Sequence, residues 1–196
     1  PGQGRTAAGS LGQAFLREFV VTMDFPREAF SLALPRRARD ADPEAGDERQ
    51  RKIKYTVPMR YPTVTEGYWE DSERIPILWD TGAGLSVVDA RLLESASAPP
   101  AMEDRERKGK DGTGEIIAYR RTESPAEFRI GDLAVSVQPA VLDLREVNRR
   151  APYLGAILGA DAMRDFAVTF DYFRGEIRVR RALAPPAPGR ETPPAR

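Results

Sequence analysis

A stretch of twenty-four residues in this sequence recurs with eight identities. Leu11–Leu34 aligns without gaps on Leu158–Arg181 at an offset of 147, with Leu11/Leu158, Gly12/Gly159, Arg17/Arg164, Phe19/Phe166, Val21/Val168, Thr22/Thr169, Asp24/Asp171 and Arg27/Arg174 identical. A short period repeated many times gives a solenoid or propeller, but two copies of one helix-strand element at long separation do not. The repeat is expected instead to close two domains of one fold. Leu11–Leu34 then ends one of them, and the chain continues through a complete second.

The sequence between the copies alternates. Leu133, Val135 and Val137 take one face and Ala134, Ser136 and Gln138 the other, the period of a half-buried strand. Gly131-Asp132 marks a tight turn back to Phe128–Ile130. Short runs of the same kind lie at 53–59, 74–79, 114–121, 140–144, 167–172 and 176–181, with short helices expected only near 89–96 and 161–165. Many short strands separated by Gly, Pro and Asp predict a mostly β sandwich or barrel. Residues 1–10 and 183–196 have the composition of disordered tails, the second with five prolines from residue 182 on. Residues 35–52 read as a solvated linker, since 35–54 hold twelve charges and almost nothing apolar. The domain proper is expected at 53–182.

Composition narrows the chemistry. The chain has 196 residues, enough for one domain and an appendage, and 30 basic against 30 acidic side chains, which gives no field to steer a nucleic acid. No run approaches the roughly 18–20 apolar residues of a membrane-spanning helix. There is no Cys, which removes thiolate nucleophiles and Cys-type metal sites, and no His, which removes Ser-His-Asp catalysis and His-ligated zinc. Hydrolysis by such a chain falls to carboxylates, Lys, Tyr, Ser, Thr or a hard metal.

One carboxylate stands out. The apolar run Ile75–Trp79 delivers Asp80-Thr81-Gly82-Ala83-Gly84. A charge placed directly after an apolar strand is costly unless hydrogen-bonded or shared, and small residues behind it let backbone N–H groups approach. That pattern suits a carboxylate held rigidly at the floor of a cleft.

Here the sequence resembles the retropepsin-like aspartic proteases of the bacterial aspartyl-protease families. Three features over about 53–181 carry the likeness: Asp80-Thr81-Gly82-Ala83 with Ser86 and Val88 after it; a glycine-rich hairpin tip at Lys108–Gly114 with a returning strand at Glu115–Arg121; and Ala156-Ile157-Leu158-Gly159, followed by a short helix and Val168–Tyr172. The resemblance implies a closed β-barrel or sandwich with a flap hairpin and one or two short helices. It implies an aspartic-type endopeptidase in which Asp80 is one of two catalytic carboxylates, with Thr81, Gly82, Ala83 and Ser86 supporting its loop. Gly112, Thr113 and Gly114 would form the flap, and Leu78, Ile117 and Val141 would line the substrate cleft together with Ala83. Ile157, Leu158 and Gly159 would pack beside the catalytic loop. No cofactor or metal is implied. The partners implied are a polypeptide substrate and either a second copy of the chain or an upstream homologous lobe, because one Asp-Thr-Gly cannot make a dyad. The rival reading is a non-enzymatic module that keeps the fold for peptide binding or pairing.

Two neighbours depart from the family. Trp79 replaces a smaller aliphatic residue, so crowding or wider packing near the dyad is expected, and Gly84 replaces a Ser or Asp. Of the remaining candidates, Asp161, Asp165 and Asp171 match no metal-loop spacing, and Lys108–Gly114 lacks the Gly-Lys-Ser/Thr of a phosphate loop. Arg120-Arg121 and Arg149-Arg150 read as surface pairs.

Overall fold

Alternation in sequence becomes alternation in space. A computed structural model describes residues 11–35, 50–54, 64–96, 98–110, 115–148 and 153–181. Within them lie β1 (Val20–Asp24), β2 (Ala29–Ala33), β3 (Gln50–Lys54), β4 (Val64–Trp69), β5 (Ile75–Trp79), β6 (Val87–Asp89), β7 (Arg107–Lys110), β8 (Ile116–Arg121), β9 (Ala126–Ile130), β10 (Leu133–Val137), β11 (Ala140–Leu142), β12 (Ala156–Leu158), β13 (Phe166–Asp171) and β14 (Glu176–Arg181). The described helices are short: Gln13–Leu16, Ala90–Ser95, Arg145–Asn148 and Ala160–Met163. None is long and apolar enough to cross a membrane.

The strands form a five-stranded sheet in the order β2-β1-β13-β14-β3 and a nine-stranded sheet in the order β10-β9-β4-β5-β12-β6-β11-β8-β7. Both contribute to one core, in which Phe170, Ile177 and Val168 from the first meet Trp69, Ile77 and Phe128 from the second. Each such side chain taken fully out of water contributes about 1.5–3 kcal/mol. The mostly β architecture agrees with the sequence reading, but closure into a barrel does not. Both sheets are open, and their edges β3 and β7 carry Arg51, Lys52, Lys54, Arg107, Lys108 and Lys110. Each sheet thus has one charged edge, which resists further pairing there.

The charged segment also needs correction at its end. Gln50–Lys54, expected in part as linker, is β3 and pairs antiparallel with β14, Ile53 opposite Ile177. Ile53 is buried while Arg51, Lys52 and Lys54 are exposed. A strand buried through one side chain carries almost no hydrophobic signal. The tails 1–10 and 183–196 and the linker 36–49 lie outside the described residues.

The sequence repeat is a structural repeat. Helix Gln13–Leu16, β1 and β2 correspond at the same offset to helix Ala160–Met163, β13 and β14. Even the turns agree. Glu28 has φ 51° and its counterpart Gly175 φ 61°, while Asp24 and Asp171 each accept the N–H of the Arg three residues on. β1 and β13 pair antiparallel with Thr22 opposite Thr169, so each of these residues faces its own counterpart, and their hydroxyls lie 2.9 Å apart. A local twofold axis therefore passes between them.

Candidate active site

Asp80 follows directly on β5, and the position of its loop is set by a strand far away in sequence. β12 lies between β5 and β6, parallel to β5 with Leu158 opposite Trp79, and antiparallel to β6. Consecutive strands β5 and β6 are thus wedged apart, and residues 80–86 must arch over the end of β12. Backbone hydrogen bonds hold the arch down: Asp80 N–H to Leu158 O at 2.9 Å, Ala160 N–H to Ala83 O at 2.8 Å, and within the loop Ala83 N–H to Asp80 O at 3.1 Å.

Ser86 closes the arch from below. Its side chain is fully buried, its hydroxyl accepts the Gly159 N–H at 3.1 Å, and the hydroxyl and backbone N–H donate to Asp161 Oδ1 at 2.6 and 2.8 Å. Ser86→Ala removes an acceptor from one buried group and a donor from another. It is expected to cost about 1–3 kcal/mol in denaturant unfolding, with a reduced midpoint at unchanged slope as the check.

The Asp80 carboxylate itself is half-buried. Its Oδ1 accepts the Gly82 N–H at 2.9 Å, and among the described residues no Lys or Arg lies within ion-pair distance. Thr81 and Ala83 are half-buried beside it and Gly82 is exposed. The carboxylate is thus anchored through its loop, with no described cation paired to it.

Asp89, nine residues on, is the contrast. It is fully buried at the start of helix Ala90–Ser95, where it accepts the Arg91 N–H at 3.0 Å, pairs with the Arg91 guanidinium at 2.5 Å, and lies 3.4 Å from Asn148 Nδ2. The hydrogen bond to Asp89 holds Arg91 above the usual guanidinium range, and burial, with Asp89 adding to it, pushes the Tyr153 phenol up. Asn148 in turn accepts the Leu154 N–H at 2.6 Å, and Asp89 N–H donates to Gly155 O at 2.9 Å. Asp89 fastens β6 to the segment entering β12 and is spent on structure.

The structure brings Asp80–Ser86 and Ile157–Gly159 together. The three residues read as cleft-lining lie in different places: Leu78 is buried in a small cluster with Val64 and Leu154, Val141 packs on the main core, and Ile117 is half-buried on β8. β7 and β8 form the antiparallel hairpin read as a flap, Lys110 opposite Ile116, and its tip with Gly112, Thr113 and Gly114 lies outside the described residues. Trp79 does not crowd the carboxylate. Its ring is buried in the main core, where the indole N–H donates to Thr65 Oγ1 at 3.0 Å and ties β5 to β4. Asp161, Asp165 and Asp171 do not converge. Asp161 serves Ser86, Asp165 is exposed, Asp171 is bound to the turn at Arg174, and no group of three acids among the described residues could hold a metal.

Sequence reasoning missed the role of Asp161. Its only signal is position, two residues after Gly159 in Ile157-Leu158-Gly159-Ala160-Asp161, which became meaningful once β12 was seen beside the loop.

No protein-family model matches the chain, and no curated protein matches it. Among solved structures the chain is similar to the EIAV protease in complex with the inhibitor HBY-793, at 21% identity over 58% of this chain and 93% of that one, with a TM-score of 0.39.

Proposed function

We propose that the chain supplies one catalytic lobe of an aspartic-type endopeptidase of retropepsin-like fold. Asp80 meets a second carboxylate contributed from outside residues 64–181. Two carboxylates about 3 Å apart do not both ionise, so one proton is shared between them. The ionised member takes a proton from a bound water as that water attacks the peptide carbonyl carbon, and the protonated member donates to the carbonyl oxygen. No covalent intermediate forms. Hairpin β7–β8 closes over an extended peptide and excludes water.

The observation that carries this reading is the arch over β12: it fixes Asp80 by backbone bonds and leaves its carboxylate half-exposed, with no cation on it among the described residues. Catalysis at such a site needs rigidity and a titratable group together. The single Asp-Thr-Gly motivates a second reading, a peptide-binding module without hydrolysis.

Incubating the assembled protein with a mixed peptide library between pH 3 and 7 separates the two. Internal cleavage with a bell-shaped kcat/KM profile is expected, both limbs belonging to the carboxylate pair. Peptides retained intact across that range would establish the binding module instead.

A further inference from the structure

One strand of the five-stranded sheet, β2, is uncovered, and the repeat says what covers it. Leu32, Val21, Phe170, Ile177 and Ile53 stand side by side across its five strands on one face. Ile177 is fully buried under the nine-stranded sheet, whereas Phe30, its counterpart at the offset of 147, is 49% exposed. Leu158 is fully buried and its counterpart Leu11 is 60% exposed. Phe15 and Leu32 are exposed in the same way where Ala162 and Val179 are buried. Four positions that are buried in the second copy are thus apolar and uncovered in the first, whereas Leu16 and Val21 are buried as their counterparts Met163 and Val168 are.

The twofold axis between Thr22 and Thr169 gives the placement. Rotation about it carries β13 and β14 onto β1 and β2, and carries the body built on β13 and β14 onto exposed β2 and the helix Gln13–Leu16 before β1. It would also carry β3 onto the open edge of β2. That edge is apolar at Phe30 and Leu32, unlike the charged edge of β3. β13, the strand through which two identical lobes would meet about this axis, already has β1 along that side.

We infer that Leu11–Leu34 is the closing element of a second lobe with the fold of residues 64–181. That lobe docks on the exposed side chains of Leu11, Phe15, Phe30 and Leu32, and it contributes the second carboxylate. A second copy of this chain does not pair through β13. The inference rests on the proposed two-carboxylate site for the role of the docked lobe, but the docking itself rests on the repeat and the uncovered side chains.

The chain has no native cysteine, so crosslinking reads the interface cleanly. Directly opposed residues of an antiparallel pair have Cα atoms about 4.5–5.5 Å apart, within the roughly 4.4–6.8 Å a disulfide spans. In the full chain under mild oxidation, Thr22→Cys/Thr169→Cys is expected to form an intrachain disulfide at monomer mass. Thr169→Cys alone is expected to give no covalent dimer. A covalent dimer as the main product of Thr169→Cys would overturn the inference, because β13 would then be meeting its own copy.

A fusion supplies a second body. Residues 50–157 are fused ahead of Leu11, so that Leu11 takes the place of Leu158. The amides of Ala29–Ala33 are expected to exchange at least tenfold more slowly than in the chain alone. Unchanged exchange there, with β14 amides still protected in the same molecule, would sink the docking. Slowed exchange without peptide cleavage would retain the docked lobe and refute the hydrolase.

Discussion

Asp80→Asn in the assembled protein is expected to lower kcat/KM for peptide cleavage by about 10²–10⁴-fold, the range spanned by a positioned general acid or base. The change is nearly isosteric. Asn can still accept the Gly82 N–H that Asp80 Oδ1 accepts at 2.9 Å, and the bonds from Asp80 N–H to Leu158 O and from Ala83 N–H to Asp80 O are backbone bonds that no side chain alters. The fold and the affinity for an uncleaved peptide should therefore remain near wild type. What is lost is the proton shared by two carboxylates. Turnover measured beside thermal unfolding decides the matter, and a variant that keeps both stability and full turnover would remove Asp80 from the chemistry.

Gly159→Ala should act through stability. At φ −93° the backbone there suits any residue, so the constraint is space. A Cβ would stand 2.5 Å from Leu85 C, 2.6 Å from Leu85 O and 2.9 Å from Ala83 O, all backbone atoms of the arch that carries Asp80. Side chains can turn aside from such an intrusion, but this backbone is held by Ala160 N–H on Ala83 O and by Gly159 N–H on Ser86 Oγ. A loss of about 3 kcal/mol is expected, a fall in Tm of roughly 6–12 °C at this chain length. Gly84→Ala, in the same loop, is the control. A Cβ there meets nothing within 4 Å, so a change within about 0.5 kcal/mol is expected. Equal losses in the two variants would show that the loop resists substitution generally, and that contact with β12 is not the cause.

These two substitutions also mark where the sequence could be read. The Leu133–Val137 alternation and the Gly131-Asp132 turn gave β9 and β10 directly, because strand period and turn chemistry are local. Asp80 was found by its setting, a carboxylate at the end of an apolar strand and ahead of small residues. β3 was hidden because its charged residues face solvent and only Ile53 turns inward. In the sequence Asp161 stands out only as a candidate metal ligand and Asp89 only at the start of a short helix. Their partners Ser86 and Asn148 stand 75 and 59 residues away, and no window of sequence holds both ends of such a contact.

The sequence by itself determined the strand-rich class, the exclusion of His and Cys chemistry, the carboxylate at residue 80 and the repetition of the closing element. Each is written in residue type, short-range period or self-similarity. Only the tertiary structure decided that β12 enters between β5 and β6, that the sheets stay open, and that Thr22 faces Thr169 with uncovered apolar side chains beside them. Those are pairings between distant segments, chosen by the joint burial of many side chains, and the energy that selects them belongs to no one stretch of chain.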